Sequence, residues 1–251
     1  MCGRCDQDLL HSPMTSRRRF VALAASSIGV LVADAAGAKE RKDEEEKKKQ
    51  PPKPQNVLSP DASLQRLMQG NARYVEGVSK RHDFMHEREA LVGGQNPYAG
   101  ILSCADSRIA PEYAFDSGRG DLFVCRVAGN FASDETIASL EYGVAILGLP
   151  LILVLGHDGC GAVDATIKSL KDDKALPGHM PSLAAAIAPA VKTASQQSGD
   201  TLGNAIRQNV VDNVAKLKSA TPILSAAVEQ NKLKVVGGIY RLKDGKVDLV
   251  T

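Results

Sequence analysis

The sequence contains no tryptophan, and it has only five cysteines among its 251 residues. A small, odd number of cysteines does not form a disulfide scaffold. No apolar run reaches the roughly 18 residues that a membrane-spanning helix needs. Neither sign of charge dominates, since 31 Lys and Arg stand against 29 Asp and Glu, and a formal charge of +2 gives no indication of nucleic-acid binding. These absences exclude a knottin-like scaffold and a transmembrane protein, and the composition is not that of a collagen.

What is present is the composition of an ordinary soluble globular protein, with 43% hydrophobic and 24% charged residues. At about 150 residues per domain, the length allows one or two domains. A chain of this length can bury a full hydrophobic core without disulfide bonds.

The first 38 residues have the three parts of a secretory signal peptide. A basic head at Ser16–Val21 precedes a weakly apolar stretch, and Ala36–Ala38 has the A-x-A form of a cleavage site. The adjacent arginines followed by x-Phe-Val resemble the bacterial twin-arginine export signal. We expect cleavage after Ala38, a periplasmic or otherwise exported protein, and no stable membrane insertion after signal removal. The alternative is a basic amphipathic segment or a surface helix.

Residues 39–55 mix dense charge with proline and contain no aliphatic residue. Such a segment cannot bury enough apolar surface to offset its ordering entropy, which predicts a disordered linker. The folded, catalytic domain is then expected over residues 56–251. Upstream, translation can start at Met1 or at Met14, and the sequence does not decide between them.

The folded part alternates strand-like and helix-like patterns. Short apolar runs bounded by turn residues predict strands at Tyr98–Ser103, Asp121–Val127, Pro150–Gly156, Lys232–Arg241 and Val247–Val250. Capped, periodic or Ala-rich stretches predict helices from Ser59 to Gly77 and over residues 83–92, 133–147, 181–195, 201–219 and 222–230. Strands that alternate with helices predict an α/β fold with a mainly parallel sheet.

Two of the predicted strands end in residues that carry chemistry. Cys104 follows the first strand, with Asp106 and Arg108 close behind, and His157 and Cys160 follow the third. Because sites in such sheets form at the carboxyl ends of strands, these residues can meet at one point. Two thiolates and one imidazole are a known ligand set for catalytic zinc, which leaves the fourth position open. The pattern predicts one Zn²⁺ per subunit at this point.

Each of these residues also has a plain structural explanation. A strand-end cysteine is often a small buried hydrophobe, and a lone histidine is often a hydrogen-bonded core residue. The matched strand ends, with Asp106 and Arg108 beside Cys104, favour the metal site. Cys125 lies inside a predicted strand without a polar companion, and we interpret it as a core residue.

Two motifs resemble those of the β-class carbonic anhydrases: C-A-D-S-R at residues 104–108 and G-H-D-G-C-G-A at residues 156–162. The likeness covers about residues 59–250. Other residues that fall where the family has the same residue types are Gln95, Phe123, Arg126 and Glu141-Tyr142. The resemblance implies the family fold, a four- to five-stranded, mostly parallel sheet flanked by helices. It also implies a homodimer or higher homo-oligomer that pairs through its N-terminal helices.

The resemblance implies reversible hydration of carbon dioxide to bicarbonate and a proton by zinc-bound hydroxide. Asp106, kept ionised by Arg108, is expected to accept the hydroxide proton. The partner subunit's Gln95 and the backbone N–H of Gly161 are expected to hold a substrate oxygen. An apolar pocket wall is implied for Phe123 and Tyr142. Because two thiolates cancel the charge of the ion, we expect the working pH range to lean alkaline.

One position departs from part of the family. Members with a non-catalytic bicarbonate inhibition site have a tryptophan three residues before the first zinc cysteine, where this chain has Ile101. Although Arg126 and Tyr240 resemble the rest of that site, we expect the site to be missing or weak. We also expect the open form of the zinc centre, in which Asp106 pairs with Arg108.

Two other functions stay open on the sequence alone. A hydrolase of carbon disulfide or carbonyl sulfide can use the same zinc scaffold, and a non-catalytic zinc-binding periplasmic protein would keep the ligands without turnover. The presence of Asp106, Arg108 and Gln95 favours an enzyme, because a structural zinc site has no use for a proton acceptor.

Overall fold

The computed structural model of the chain describes residues 57–250. The predicted signal peptide over residues 1–38 and the predicted linker over residues 39–55 lie outside the described residues. Among residues 57–250, no helix combines the length and the apolar character that crossing a bilayer requires.

In the described part of the chain, two helices precede the sheet. Helix α1 (Pro60–Val75) begins after Ser59, whose hydroxyl oxygen accepts the N–H of Ala62 at 3.3 Å. A proline occupies its first turn, where a missing N–H breaks no helical hydrogen bond. Helix α2 (Phe84–Ala90) begins after Asp83, whose carboxylate caps the first turn. Both helices agree with the predicted ones to within about two residues at each end.

Five strands of residues 57–250 form one sheet in the order β2-β1-β3-β4-β5. Their bounds are β1 (Ala99–Ser103), β2 (Leu122–Arg126), β3 (Leu151–His157), β4 (Lys234–Tyr240) and β5 (Val247–Val250). The first four strands run parallel, and β5 pairs antiparallel with β4. The predicted α/β fold with a mostly parallel sheet is confirmed. Strands β1 and β3 are buried along their whole length, which explains their continuous apolar sequence.

The described residues form six further helices, which connect and cover the strands. They are α3 (Pro111–Ala114), α4 (Asp134–Ala145), α5 (Gly161–Lys171), α6 (Met180–Ala194), α7 (Thr201–Lys218) and α8 (Ile223–Glu229). The sequence did not predict α3 or α5. Helix α3 is a single turn, too short to show a helical period. Helix α5 begins directly after Cys160, and no side chain caps its start, so the sequence has no cap signal that would predict it.

Each face of the sheet has its own hydrophobic cluster. Leu102 packs in the cluster that contains Val210 of α7, whereas its neighbour Ile101 packs in the cluster that contains Leu67 of α1. Adjacent strand residues belong to different clusters because successive side chains of a strand point to opposite faces. Burying each such side chain contributes about 1.5–3 kcal/mol to folding. Cys125, predicted to be a core residue, is only half-buried, because β2 is an edge strand.

The pairing of β1 with β3 sets the position of the predicted site. Ser103, the last residue of β1, pairs with Leu155 near the end of β3. Cys104 follows β1 directly, and His157 is the last residue of β3. The two chain segments therefore leave the sheet side by side, at its carboxyl edge.

Candidate metal centre

Three side chains with metal-binding atoms converge where β1 and β3 end. The Sγ atoms of Cys104 and Cys160 lie 4.0 Å apart. The ligand atoms of these cysteines and of His157 all lie within 4.8 Å of one another. All three residues are buried. The structure thus brings together the three ligands that the sequence predicted, from a strand end, a second strand end and the residue before α5.

The donor set fits a zinc ion. Zinc–sulfur bonds of about 2.3 Å in a tetrahedral site place two sulfur atoms roughly 3.8 Å apart, close to the observed 4.0 Å. Nε2 of His157 is buried and has no hydrogen-bond partner among the described residues. Its Nδ1 lies 2.9 Å from the carbonyl oxygen of Asp158. When Nδ1 carries the proton and donates to this carbonyl, the lone pair of Nε2 faces the two sulfurs and is available to a metal.

The two thiols shift each other's pKa in opposite directions. The contact with Cys160 lowers the pKa of Cys104, and this effect exceeds the opposing effect of burial. The same contact, together with burial, raises the pKa of Cys160, because a second thiolate beside the first is repelled. A divalent cation between the sulfur atoms removes that repulsion, so the electrostatics of the pair favour a bound metal.

The same cluster also raises the pKa of His157. Burial by itself lowers the pKa of His157, but the nearby sulfur and negative charge of Cys104 outweigh it, so the pKa is raised overall. A proton on Nε2 in the metal-free protein occupies the position that a cation takes. Metal binding at this cluster is therefore expected to release protons.

Asp106 and Arg108 form a two-point ion pair beside the ligands. Nε of Arg108 donates to Oδ1 of Asp106 at 2.9 Å, and Nη2 donates to Oδ2 at 2.7 Å. These hydrogen bonds hold the pKa of Asp106 well below its usual value, against a smaller opposing effect of burial. Oδ2 also lies 3.9 Å from Nε2 of His157, so the ionised carboxylate faces the ligand cluster. The Asp106–Arg108 pair expected from the sequence is present.

Arg126 fixes the backbone of the segment that carries Cys104 and Asp106. Its Nε donates to the carbonyl oxygen of Cys104 at 3.0 Å, and its Nη2 donates to that of Asp106 at 2.7 Å. The sequence placed Arg126 in a family motif but gave it no such role. At the other two positions of the inhibition site, which we expect to be missing or weak, Ile101 is fully buried and the hydroxyl of Tyr240 lies 3.1 Å from that of Tyr74.

The remaining predicted site residues divide into two groups. Gly161 begins α5 directly after Cys160, so its backbone N–H is next to the ligands. Phe123, in contrast, pairs with Gly100, four residues before Cys104. At about 3.3 Å per residue, it lies roughly 13 Å from the ligand end of the strand.

Two other predicted residues share the end of the sheet where Phe123 lies. The ring of Tyr142 lies 6.4 Å from the ring of Phe123. Gln95 precedes the amino end of β1. Within one chain, Gln95, Phe123 and Tyr142 are therefore separate from the ligand cluster.

Two contacts to the ligands were not predicted. The backbone N–H of Gly129 donates to Sγ of Cys104 at 3.3 Å, and the carbonyl of Asp158 contacts Nδ1 of His157. Both partners are backbone groups, which every residue type provides, so no residue pattern marks them. The one sequence signal is the glycine at position 129, whose φ of +86° is a conformation that other residues rarely adopt.

Comparisons with known proteins agree with this geometry. A family model described as "Carbonic anhydrase" matches residues 99–247, a span that includes all three ligands. The chain belongs to the carbonic anhydrase family. It is 35% identical over 192 residues to carbonic anhydrase 2 of Mycobacterium tuberculosis, covering 76% of this chain and 93% of that protein. The carbonic anhydrase of Mycolicibacterium smegmatis matches at the same identity over 192 residues, with the same coverage.

Solved structures of carbonic anhydrases share the fold. The β-carbonic anhydrase CcaA matches with a TM-score of 0.56 and 28% identity, covering 75% of this chain and 98% of that chain. A tetrameric β-carbonic anhydrase from Sordaria macrospora matches in fold, with a TM-score of 0.60 and 23% identity, covering 75% of this chain and 97% of that chain. These similarities assign the chain to the β class. Membership makes the protein a carbonic anhydrase, which hydrates carbon dioxide, and favours this activity over the hydrolase and non-catalytic alternatives.

Proposed function

We propose that the protein hydrates carbon dioxide with a zinc ion held by Cys104, His157 and Cys160. The observation that carries the proposal is the buried ligand cluster, with its unpartnered Nε2 and two sulfur atoms 4.0 Å apart, beside an ionised carboxylate. When bound, zinc would supply a water whose pKa is lowered from about 15.7 toward about 7, and the two thiolates would leave it somewhat above that value.

Asp106 accepts the hydroxide proton in a hydrogen bond at this position. Its Oδ2 faces the ligand cluster, and the bonds from Arg108 keep its pKa low, so it presents an unprotonated oxygen throughout the working pH range. An acceptor with a fixed direction orients the nucleophile, so that its remaining lone pair points to the carbon of the substrate. Arg108 thereby sets both the charge and the direction of the carboxylate.

The substrate pocket is completed by a second copy of the chain. Gln95, Phe123 and Tyr142 are separate from the ligands of their own chain, and they lie near the edge strand β2. Tyr142 and Ile146 on the neighbouring helix are 50% and 66% exposed, which leaves an apolar surface for a partner to cover. In a homodimer or larger assembly, these side chains supply an amide for a substrate oxygen and an apolar wall for carbon dioxide. The backbone N–H of Gly161 supplies a second donor.

The N-terminal region directs export through a twin-arginine type of signal. Support comes from Arg17-Arg18 in the basic head and from the A-x-A sequence that ends at Ala38. The twin-arginine route carries folded proteins, so the ion can be bound before export and can protect the two thiols from oxidation. Mass spectrometry of the exported protein is expected to find Lys39 at its N-terminus. Detection of residues 1–38 in the mature exported protein would contradict this proposal.

The decisive experiment for the enzymatic proposal is stopped-flow hydration of carbon dioxide by mature protein with a measured zinc content. We expect one zinc per subunit and a hydration rate that falls when a chelator removes the metal. Carbon disulfide and carbonyl sulfide are assayed with the same preparation. Fully zinc-loaded protein that turns over either sulfur compound but not carbon dioxide would refute the proposal.

A further inference from the structure

The thiolate ligand Cys104 receives a hydrogen bond from an unusual turn of the backbone. The N–H of Gly129 donates to its sulfur at 3.3 Å. Gly129 and the next residue, Asn130, both have positive φ angles, +86° and +42°. A side chain at position 129 would also place its Cβ 2.5 Å from Cδ1 of Ile187. Glycine and asparagine adopt such angles more readily than other residues, but a free loop also samples other conformations, so contacts with other groups are needed to hold this turn.

One face of α7 provides that support. Nδ2 of Asn209 donates to the carbonyl oxygen of Gly129 at 2.8 Å. Oδ1 of Asn213 accepts the N–H of Ala132 at 2.7 Å, and Nζ of Lys216 donates to the carbonyl oxygen of Ala132 at 2.6 Å. These three side chains lie at positions i, i+4 and i+7, so they share one helix face. Together they hold both ends of the turn.

The two asparagines also hold each other. Nδ2 of Asn213 donates to the backbone carbonyl of Asn209 at 2.7 Å and lies 3.2 Å from its Oδ1. Both residues are almost completely buried, with 2% and 6% exposure. Buried amides are costly unless their hydrogen bonds are made, so this pair has one favourable arrangement. That arrangement points Nδ2 of Asn209 at the turn.

We propose that Asn209 and Asn213 are positioning residues of the metal centre, which fix the Gly129 turn so that its N–H stays on the sulfur of Cys104. This inference rests on the proposed zinc site. A hydrogen bond to a ligand restricts its orientation and its electron donation to the metal, and loss of such outer contacts commonly weakens metal binding roughly 10- to 100-fold. Asn209 lies 105 positions from Cys104 in the sequence and acts on it through a single residue, Gly129, whose carbonyl oxygen binds Asn209 and whose N–H binds the sulfur.

The test compares zinc affinity in wild-type protein, Asn209→Ala, Asn213→Ala and the control Val214→Ala, by competition with a chromophoric chelator. Val214 is buried on the same helix and packs in the core, so its truncation destabilises α7 without removing a bond to the turn. We expect roughly 10-fold weaker zinc binding in each asparagine variant and unchanged binding in the control. If Asn209→Ala does not fold, Asn213→Ala alone decides the result.

Cobalt-substituted proteins provide a second measurement, an absorption band whose position does not depend on the stability of α7. The thiolate-to-cobalt absorption band depends on the electron density of sulfur, so it is expected to shift in the asparagine variants and not in Val214→Ala. If the wild-type protein binds zinc and both asparagine variants have unchanged zinc affinity and an unchanged band, the positioning role is overturned. The proposed metal centre is not affected by that result. A wild-type protein that binds no zinc would overturn the proposed metal centre and this inference with it.

Discussion

Nη2 of Arg108 lies 2.7 Å from Oδ2 of Asp106, the carboxylate oxygen that faces the ligand cluster. Asp106 thus binds the guanidinium group of Arg108 and at the same time faces the ligand cluster. In this arrangement Arg108 keeps the carboxylate of Asp106 ionised, and the ionised carboxylate can accept a hydrogen bond from the nucleophile.

Asp106→Asn is expected to keep its zinc and lose turnover. The amide has nearly the same shape as the carboxylate but lacks the charged oxygen that accepts a hydrogen bond from the nucleophile, and loss of this orientation is expected to lower the rate about 10²-fold or more. Stopped-flow rates on zinc-quantified protein measure the loss. A zinc-loaded variant with the wild-type rate would remove the assigned role.

Cys104→Ser is expected to lose both zinc and activity, because a serine hydroxyl is not ionised near neutral pH and binds zinc poorly. Cys125→Ser is the matched control. Burial raises the pKa of the Cys125 thiol, and this half-buried residue lies on the edge strand, outside the ligand cluster. Metal analysis of both purified variants gives the comparison. Equal zinc loss in the two would show that the effect is one of folding.

Subunit mixing tests whether Gln95 acts across the subunit interface. Gln95→Ala and Cys104→Ser are each expected to have low activity as pure dimers. A mixed dimer contains one site with the intact Cys104 of one chain and the intact Gln95 of the other. Random mixing of a symmetric dimer should therefore restore about a quarter of all sites. Refolding the two variants together and finding no gain in rate would place Gln95 in the site of its own chain.

Asp116 is expected to contribute to acid sensitivity. Burial raises the pKa of Asp116, but the hydrogen bonds from Arg73 at 2.6 Å and from the N–H of Lys80 lower it by more than burial raises it. The folded pKa therefore lies below the unfolded value of about 4. The stability it contributes is present above that unfolded value and is lost as the pH falls through the folded pKa. Asp116→Asn should therefore show a smaller fall in unfolding free energy between about pH 5 and pH 3. An identical pH slope in the wild type and the variant would exclude this contribution.

Bicarbonate is expected not to switch the enzyme off cooperatively. Ile101 is fully buried, and Arg126 donates to the carbonyl groups of Cys104 and Asp106. Ile101 has no group that binds an anion, and two donor groups of Arg126 are already used in these hydrogen bonds. Initial rates measured against bicarbonate concentration should follow simple product inhibition. A sigmoidal loss of activity would contradict this expectation.

The sequence predicted the parts of the site that follow from a local pattern. The strands β1 and β3 are continuous apolar runs because both of their faces are covered, and the ligands stand directly at their ends. The ion pair of Asp106 with Arg108 is also local, because the two residues are neighbours in the chain. Such features are specified by residues close together in sequence.

The rest depends on contacts that no local pattern specifies. The roles of Asn209 and Asn213 arise from where α7 lies on the sheet, and in the sequence both resemble ordinary polar residues of a helix. The separation of Phe123 from the ligands follows from the register of β2 against β1. Helix α5 was not predicted, because its first residue, Gly161, is part of the ligand motif.

The three ligand side chains come from segments that meet only after β1 and β3 have paired. A chain in which β1 and β3 have not paired does not hold the three ligands together and cannot bind the ion. An ion that binds only the folded state raises the melting temperature of that state. Metal capture is therefore a marker of completed folding. A cell that releases only metal-loaded molecules would at the same time release only correctly assembled ones.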